Sequence, residues 1–436
     1  DWSSDVCSSD LNYSRLSIRT AGRMTLLKTL LAVALTLFTT CVTAADRPNI
    51  VLILMDDMGW RDVGFMGNTF TETPNLDRLA AGGLVFSQAY ASAPNCAPTR
   101  ACLMSGQYTP RHGIYTVVDP RQPPGSPWQK LLASDSQSEL DTRIVTVAES
   151  LRDGGYATGF FGMWNLGRGR SGPVTPGGQG FETVVFPENL GFGKDQYFDD
   201  SGNYLSDRLT DSVLQFVEKN RSGPFFVYLP DHAVHAPYNP KPDLLKKYEQ
   251  KLQQTGDRRD SAEAAATVEA VDQNVGRIMD GLKSMNLLEN TIVIFTSDNG
   301  GTPQFTAPLK GSKGQLYEGG IRVPLVVSWP GLKNPGRTTP VPVSSVDWYP
   351  TLLELAGLTA PQGQIQDGVS LVPLFRGSDT LQRDRLFWHF PCYVGRSAPS
   401  SAVRVGDYKL VEFFEDGGHV ELYDLQQDPK DRKSTR

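Results

Sequence analysis

The sequence predicts an α/β protein, with a large, mostly parallel sheet flanked by helices and a small C-terminal antiparallel sheet. Three observations carry this. "NIVLILM" from Asn49 and "TIVIFTS" from Thr291 to Ser297 are β-branched apolar runs that stop abruptly at polar residues, as strands buried on both faces do. Helical patterns lie between such runs. After about Pro373 the texture changes to short strand-like pieces separated by turn residues.

In chain order, "PFFVYLP" from Pro224 and "VPLVVSWP" from Val323 read as further strands of the first kind. "TVAESLRDGG" from Thr146 reads as a helix stopped by Gly154 and Gly155. The longest helix pattern runs from Ser261 to Met285. In it Val268, Val271, Val275, Ile278, Leu282 and Met285 recur at steps of three and four, a stripe whose plain use is core packing. Beyond Pro373, "RLFWHF", "SAVRVGDYKLVEFF" with a turn at Gly406-Asp407, and "HVELYDL" read as antiparallel strands. No internal repeat is present.

A chain of 436 residues with 39% apolar content can bury one large core and a smaller one. Residues 1–23, opening with "DWSSDVCSSDL", read as a non-native leader. Residues 24–45 read as a secretory signal peptide: Lys28 precedes the apolar run Thr29 to Phe38, and small residues follow around Ala44 and Ala45. That run is too short for a stable membrane span, so the expected location is periplasmic or secreted. The main α/β domain then covers 46–373, and a small α+β subdomain covers 374–436, its "DPKDRKSTR" ending reading as a truncation. A net charge of −6 without blocks of like sign argues against a nucleic-acid partner or a membrane-surface footprint. Small or carbohydrate-like ligands fit better.

Two strands end in acids, where open α/β sheets bind ligands. "NIVLILMDDMGW" delivers Asp56 and Asp57; "TIVIFTSDNGG" delivers Asp298 and Asn299. Singly, each acid could cap a helix or make a turn. Together, three carboxylates and an amide repel unless a cation lies among them, and an oxygen-only set suits Ca²⁺ or Mg²⁺ better than zinc. His235, after "PFFVYLP", and Lys313, in "PLKGSKGQLYEGGIRVP", would reach the same edge. Either could equally be an ordinary loop residue. Cysteine usage adds a question: with Cys7 and Cys41 in the leader and signal segments, Cys96, Cys102 and Cys392 remain, and three thiols cannot all pair. Whether Cys102 and Cys392 bridge is left open by the sequence.

"CAPTRACLMSG", Cys96 to Gly106, supplies the remaining clue. It matches C-x-P-[ST]-R followed by x4-[ST]-G, and with the acid motifs, "YEGGIRVP" and "ELYDLQQDP" it resembles the formylglycine-dependent, arylsulfatase-like sulfatases of the alkaline-phosphatase superfamily from about Pro48 to Asp428. The resemblance implies hydrolysis of sulfate monoesters, with sulfated carbohydrates as the expected substrates. It also implies a maturation enzyme that converts Cys96 to formylglycine, whose hydrate offers one hydroxyl as nucleophile and a second to release sulfate. The implied metal set is Asp56, Asp57, the matured Cys96, Asp298 and Asn299, with Ca²⁺ expected and Mg²⁺ the alternative. Arg100 would hold the hydrate and the carboxylates, His235 would protonate the leaving alkoxide, and Lys313 would bind sulfate oxygens.

One stretch departs from the family pattern. Where Gly-Lys-Trp-His is usual the chain has "GMWNLG", so Met163 and Asn165 replace the Lys and the His. Asn165 can still hydrogen-bond a substrate or hydrate hydroxyl, but it is no base. Three readings stay open here: an active sulfatase, a phosphodiesterase or phosphonate monoester hydrolase on the same scaffold, and a silent sulfatase-like binding protein.

Overall fold

The computed structural model describes residues 47–117, 129–193, 196–256, 261–303, 306–395 and 397–432; the leader and signal segments lie outside these. The described residues form one compact unit. Its strands, in chain order, begin with β1 (Asn49–Met55), β2 (Leu84–Phe86), β3 (Ala89–Tyr90), β4 (Ala157–Phe161) and β5 (Thr183–Val185). β6 (Phe225–Asp231), β7 (Thr291–Ser297), β8 (Leu325–Ser328), β9 (Arg337–Thr339) and β10 (Val343–Ser344) follow. The main sheet has the order β5-β4-β6-β1-β7-β8-β2-β9, while β3 and β10 pair separately. β1 lies between parallel partners, Leu52 standing opposite Tyr228 of β6 and Ile294 of β7. β8, read from "VPLVVSWP", is antiparallel to both β7 and β2, which makes the sheet mixed but mostly parallel.

The seven main helices are α1 (Pro74–Ala81), α2 (Cys96–Ser105), α3 (Val147–Asp153), α4 (Leu205–Asn220), α5 (Pro242–Thr255), α6 (Ala262–Ser284) and α7 (Trp348–Leu355). The continuous apolar runs follow from this layering. Along β1, Ile50, Leu52 and Leu54 pack into the layer holding residues of α2, α3 and α7, while Val51, Ile53 and Met55 pack into the layer holding α1, α4 and α6. A strand covered on both faces has no polar side to show. The long helix forms as the spacing predicts. Ser261 caps it by accepting from the Ala264 N–H, and Val268, Val271, Val275, Ile278 and Leu282 are all buried. α3 has a reciprocal cap, Thr146 with Glu149, and stops at Gly154.

The C-terminal pieces form β11 (Arg385–Phe390), β12 (Ser400–Val405), β13 (Tyr408–Phe413) and β14 (His419–Asp424), an antiparallel sheet in chain order. Gly406, at φ 56°, makes the two-residue turn between Val405 and Tyr408. One face, with Leu386, Trp388, Phe390, Val411 and Tyr423, packs on Tyr90, Leu316 and Ile321. Beside this apolar contact lies a buried ionic knot. Lys409 Nζ donates to Glu318 at 2.8 Å and to Asp431 at 2.7 Å, and Tyr90 Oη donates to Glu318 at 2.8 Å. The knot ties the C-terminal sheet to the segment "YEGGIRVP". Cys102 and Cys392 are separate free thiols, so the pairing left open by the sequence is not made.

Two outcomes follow. Lys409→Met should cost about 3–5 kcal/mol in chemical denaturation, because Glu318 and Asp431 lose their buried partner; a loss under 1 kcal/mol would mean the knot holds little. The second concerns His112, whose Nδ1 accepts from the Ile114 N–H at 3.1 Å and whose burial pushes its pKa down to about 3. Below the ordinary value near 6.5 the unfolded chain takes up a proton that the folded chain refuses, so this contribution to stability is complete above about pH 6.5 and is lost as pH falls. The stability advantage of wild type over His112→Gln should therefore shrink by about 2 kcal/mol between pH 7 and 5. A difference independent of pH would contradict it.

Candidate active site

The site forms where β1, β6 and β7 end together. Asp56 and Asp57 follow β1, and the turn is left-handed at Asp57 (φ 65°), a conformation that Asp tolerates better than bulkier residues. The main chain fixes the neighbours: Asp56 N–H donates to Ala233 C=O at 3.2 Å, Val234 N–H to Asp56 C=O at 2.9 Å, and Asp298 N–H to Met55 C=O at 3.1 Å. Gly300, after Asn299, admits the close approach of the "YEGG" segment. A Cβ there would stand 2.0 Å from Gly319 C=O.

Cys96 is the first residue of α2, and every side chain of that helix is buried. Each element of the signature has a local task. Asn95 caps the helix by accepting from the Cys96 N–H at 2.8 Å. Thr99 Oγ1 donates to Ala93 C=O at 2.8 Å and accepts from Ala93 N–H at 3.2 Å, which clamps the incoming chain to the first turn. Gly106 ends the helix in the left-handed conformation. Arg100 points back from the helix, fully buried. Its Nε and Nη2 donate to Asp298 Oδ2 at 2.9 and 2.7 Å, Nη2 lies 3.0 Å from Asp56 Oδ2, and Nη1 donates to Met163 C=O at 2.6 Å.

Asp56, Cys96 and Asp298 bring one ligand atom each within 4.8 Å of one another, as do Asp56, Asp57 and His235. Asn299 Nδ2 donates to Asp57 and Asp298 at 2.7 and 2.8 Å. Lys313 Nζ contacts both Asp57 oxygens, at 2.6 and 2.8 Å, and His235 Nε2 lies 3.5 Å from Asp57 Oδ2. His235 Nδ1 is 2.6 Å from Ala236 C=O, which can only accept, so Nδ1 carries the hydrogen there and Nε2 faces the carboxylates. Exposure is graded across the site. The Arg100 and Asp298 side chains are at 0%, Lys313 at 19% and His235 at 35%, so the last two border the open side.

Burial, and after it the Asp56 carboxylate, push the Cys96 thiol above its ordinary value, so at neutral pH it is a protonated thiol and a poor nucleophile. Burial and Asp56 push Asp298 up to about 7 against the pull of Arg100. Burial also raises Asp56. Burial would raise Asp57 too, but Lys313 and then His235 outweigh it and hold this carboxyl low. Asp56 Oδ1 is buried without a hydrogen-bond partner, an oxygen free to serve a cation. When all three carboxyls are ionised they outnumber the two permanent cations, Arg100 and Lys313, and burial resists that surplus of negative charge unless a further cation joins them. Oxygen donors with that surplus fit a hard divalent ion.

Asp56, Asp57, Cys96, Arg100, His235, Asp298, Asn299 and Lys313 converge, as the sequence predicts. Met163 enters through its main chain, held between Arg100 Nη1 and Pro230 C=O. Gly162 before it has φ 134°, and a Cβ would meet Pro230 C=O at 2.0 Å. Asn165 takes the left-handed conformation (φ 59°), and its side chain makes no hydrogen bond to the site among the described residues. Sequence reasoning missed His232, which is 4% exposed, with Nδ1 at 3.9 Å from Asp56 Oδ2. The repeat of His at a spacing of three in "DHAVH" was the available signal.

The family model described as Sulfatase matches residues 48–358, and that described as N-sulphoglucosamine sulphohydrolase, C-terminal, matches residues 312–435. A sulfatase of Formosa agariphila is 33% identical, over 88% of this chain and 84% of that protein. Human arylsulfatase A is 32% identical, over 89% and 83%. Among solved structures, Ps i-CgsB in complex with k-i-k-neocarrahexaose superposes with a TM-score of 0.74 at 28% identity, covering 89% of this chain and 88% of that one.

Arg100→Lys keeps a cation but loses the fork that spans Asp298, Asp56 and the Met163 carbonyl. Its kcat should fall at least ~10²-fold while the protein remains folded by circular dichroism. An unchanged kcat would remove the fork from any account of activity.

Proposed function

The chain belongs to the sulfatase family and is a sulfuric ester hydrolase; from that premise we propose that it cleaves sulfate monoesters of carbohydrates with formylglycine made from Cys96 and a divalent cation, Ca²⁺ or Mg²⁺. The observation that carries this is the placement of Cys96 on the first turn of a buried helix, its sulfur within 4.8 Å of Asp56 and Asp298. A buried thiol raised above its ordinary value has little use as it stands, whereas an aldehyde hydrate at that position supplies both an attacking and a releasing hydroxyl. The cation, held by Asp56, Asp57 and Asp298 with the matured residue 96, and by Asn299 once its amide turns Oδ1 inward from the Gly301 N–H, would supply charge neutralisation and acidify the hydroxyl. Carbohydrate as the substrate class is supported by the bound neocarrahexaose of Ps i-CgsB.

The chain's own groups divide the remaining work. Arg100 holds Asp56 and Asp298 in register and keeps them from relaxing apart. The first-turn N–H groups of Cys96 and Thr99 are taken by Asn95 and Pro98 has none, so α2 favours the anion through the positive end of its dipole. Lys313, on the open side, binds a sulfate oxygen. His235, when its ring carries a proton on both nitrogens, delivers the one on Nε2 to the leaving oxygen while Nδ1–H stays on Ala236 C=O, and returns to the neutral Nδ1–H form. Asn165 serves substrate at most as a hydrogen-bonding group. Export to the periplasm or medium, through the segment read as a signal peptide, would bring the enzyme to polymeric substrates, after action of a formylglycine-generating enzyme.

The matured protein should release sulfate from 4-nitrophenyl sulfate and from sulfated carbohydrates, lose that activity on chelation and regain it with Ca²⁺ or Mg²⁺; Cys96→Ala should abolish it. Faster turnover of bis(4-nitrophenyl) phosphate than of the sulfate would contradict the substrate class. Activity absent in wild type but gained in Met163→Lys/Asn165→His would instead identify a silent binder.

A further inference from the structure

His235 does not stand alone on its loop. Its ring stacks on His232 (centroids 5.1 Å apart, planes at 23°), His232 packs on Tyr197 (5.5 Å, 40°), and Tyr197 stacks on Tyr204 (6.0 Å, 30°). Lys241 Nζ closes the far end, 5.2 Å from the centre of the Tyr204 ring. Tyr197 Oη also donates to the His235 carbonyl at 2.5 Å. Tyr197, Tyr204 and His232 are at most 4% exposed. Three buried rings thus back His235, the ring of the column that opens to solvent.

Neither tyrosine belongs to the acid edge of the sheet. Both sit on the segment before α4, where Leu205 N–H donates to Tyr197 C=O at 2.9 Å and Asp199 accepts from the N–H groups of Ser201 and Asn203. The segment is braced, and it holds His235 at two points, by ring contact through His232 and by a main-chain hydrogen bond. A proton donor must keep its atom within hydrogen-bond reach of the leaving oxygen, and a misplacement near 1 Å can cost about 10²-fold in rate. An imidazole that is 35% exposed and has only one hydrogen bond at Nδ1 gains its fixed plane from what stacks on it.

We infer that Tyr197 and His232 are positioning residues for His235, setting the plane and reach of its Nε2 for proton delivery to the leaving group. This rests on the reading of His235 as the acid. Ring stacking and the Tyr197 hydrogen bond act through His235 and touch no reacting atom.

The test compares 4-nitrophenyl sulfate with phenyl sulfate, which share a shape but differ in how far the departing oxygen needs a proton. His235→Ala comes first and should lower kcat on phenyl sulfate far more than on 4-nitrophenyl sulfate. Tyr197→Phe keeps the ring and removes only the hydrogen bond. It should lower kcat on phenyl sulfate by about 10- to 10²-fold, with KM unchanged and 4-nitrophenyl sulfate affected less than about 3-fold. His232→Ala should show the same selectivity, and His232→Phe, which restores a flat ring, should recover most of the loss. Equal losses on both substrates in His235→Ala would sink the acid reading and the inference with it. A selective His235→Ala beside unselective Tyr197→Phe and His232→Ala would overturn the inference alone. So would recovery by His232→Asn and not by His232→Phe, since polarity beside Asp56 would then be what matters.

Discussion

Like charges held together out of water govern this molecule. Asp56, Asp57 and Asp298 meet at the ends of two adjacent strands, each at most 4% exposed, and nothing in the sheet itself offsets them. Two permanent cations reach the site as counterweights, Arg100 from inside a helix and Lys313 from the loop after β7, and the unpartnered oxygen on Asp56 suits a further cation. Removing one counterweight would leave a buried charge uncompensated, which is the costly direction. The surrounding architecture follows from keeping those counterweights in place. α2 is buried along its whole length because its first residue and its arginine both serve the acids. The loop that carries Lys313 leads into "YEGGIRVP", and the Glu318–Lys409–Asp431 knot pins that segment to the C-terminal sheet.

The departure at Met163 and Asn165 becomes intelligible on the same terms. What the structure requires of residue 163 is its carbonyl, which accepts from Arg100, and its N–H, which donates to Pro230. Those groups come with any residue but proline, while the preceding position must be glycine because Pro230 C=O stands where a Cβ would be. Trp164 is anchored separately, its indole N–H donating to Val174 C=O at 2.9 Å and its ring packing edge-on to Phe160. The turn can therefore keep its shape with side chains at 163 and 165 that carry no charge.

Much of this was legible in the sequence, for identifiable reasons. The buried strands and the long helix were readable because burial on both faces, or on one helical stripe, leaves a periodic apolar record. The acids, Cys96, Arg100, His235 and Lys313 were readable because motif and strand ends locate them. β4, "ATGFF", and the short β2, β5 and β9 were not, since runs of three to five residues, the longest of them interrupted by Gly159, carry no period. The antiparallel setting of β8 was hidden for another reason: a buried strand reads the same in either direction. His232 and Tyr197 escaped because their task is to hold a neighbour, and stacking between segments more than thirty residues apart leaves no local pattern.

The most direct measurement is the mass of the tryptic peptide Leu79 to Arg100, which contains Cys96 and no other cysteine, from protein made in its native host or beside a formylglycine-generating enzyme. The account requires the aldehyde form at Cys96. A peptide found wholly as the unmodified thiol under those conditions would contradict it, for the buried acids and their counterweights would then surround a group unable to act as the nucleophile.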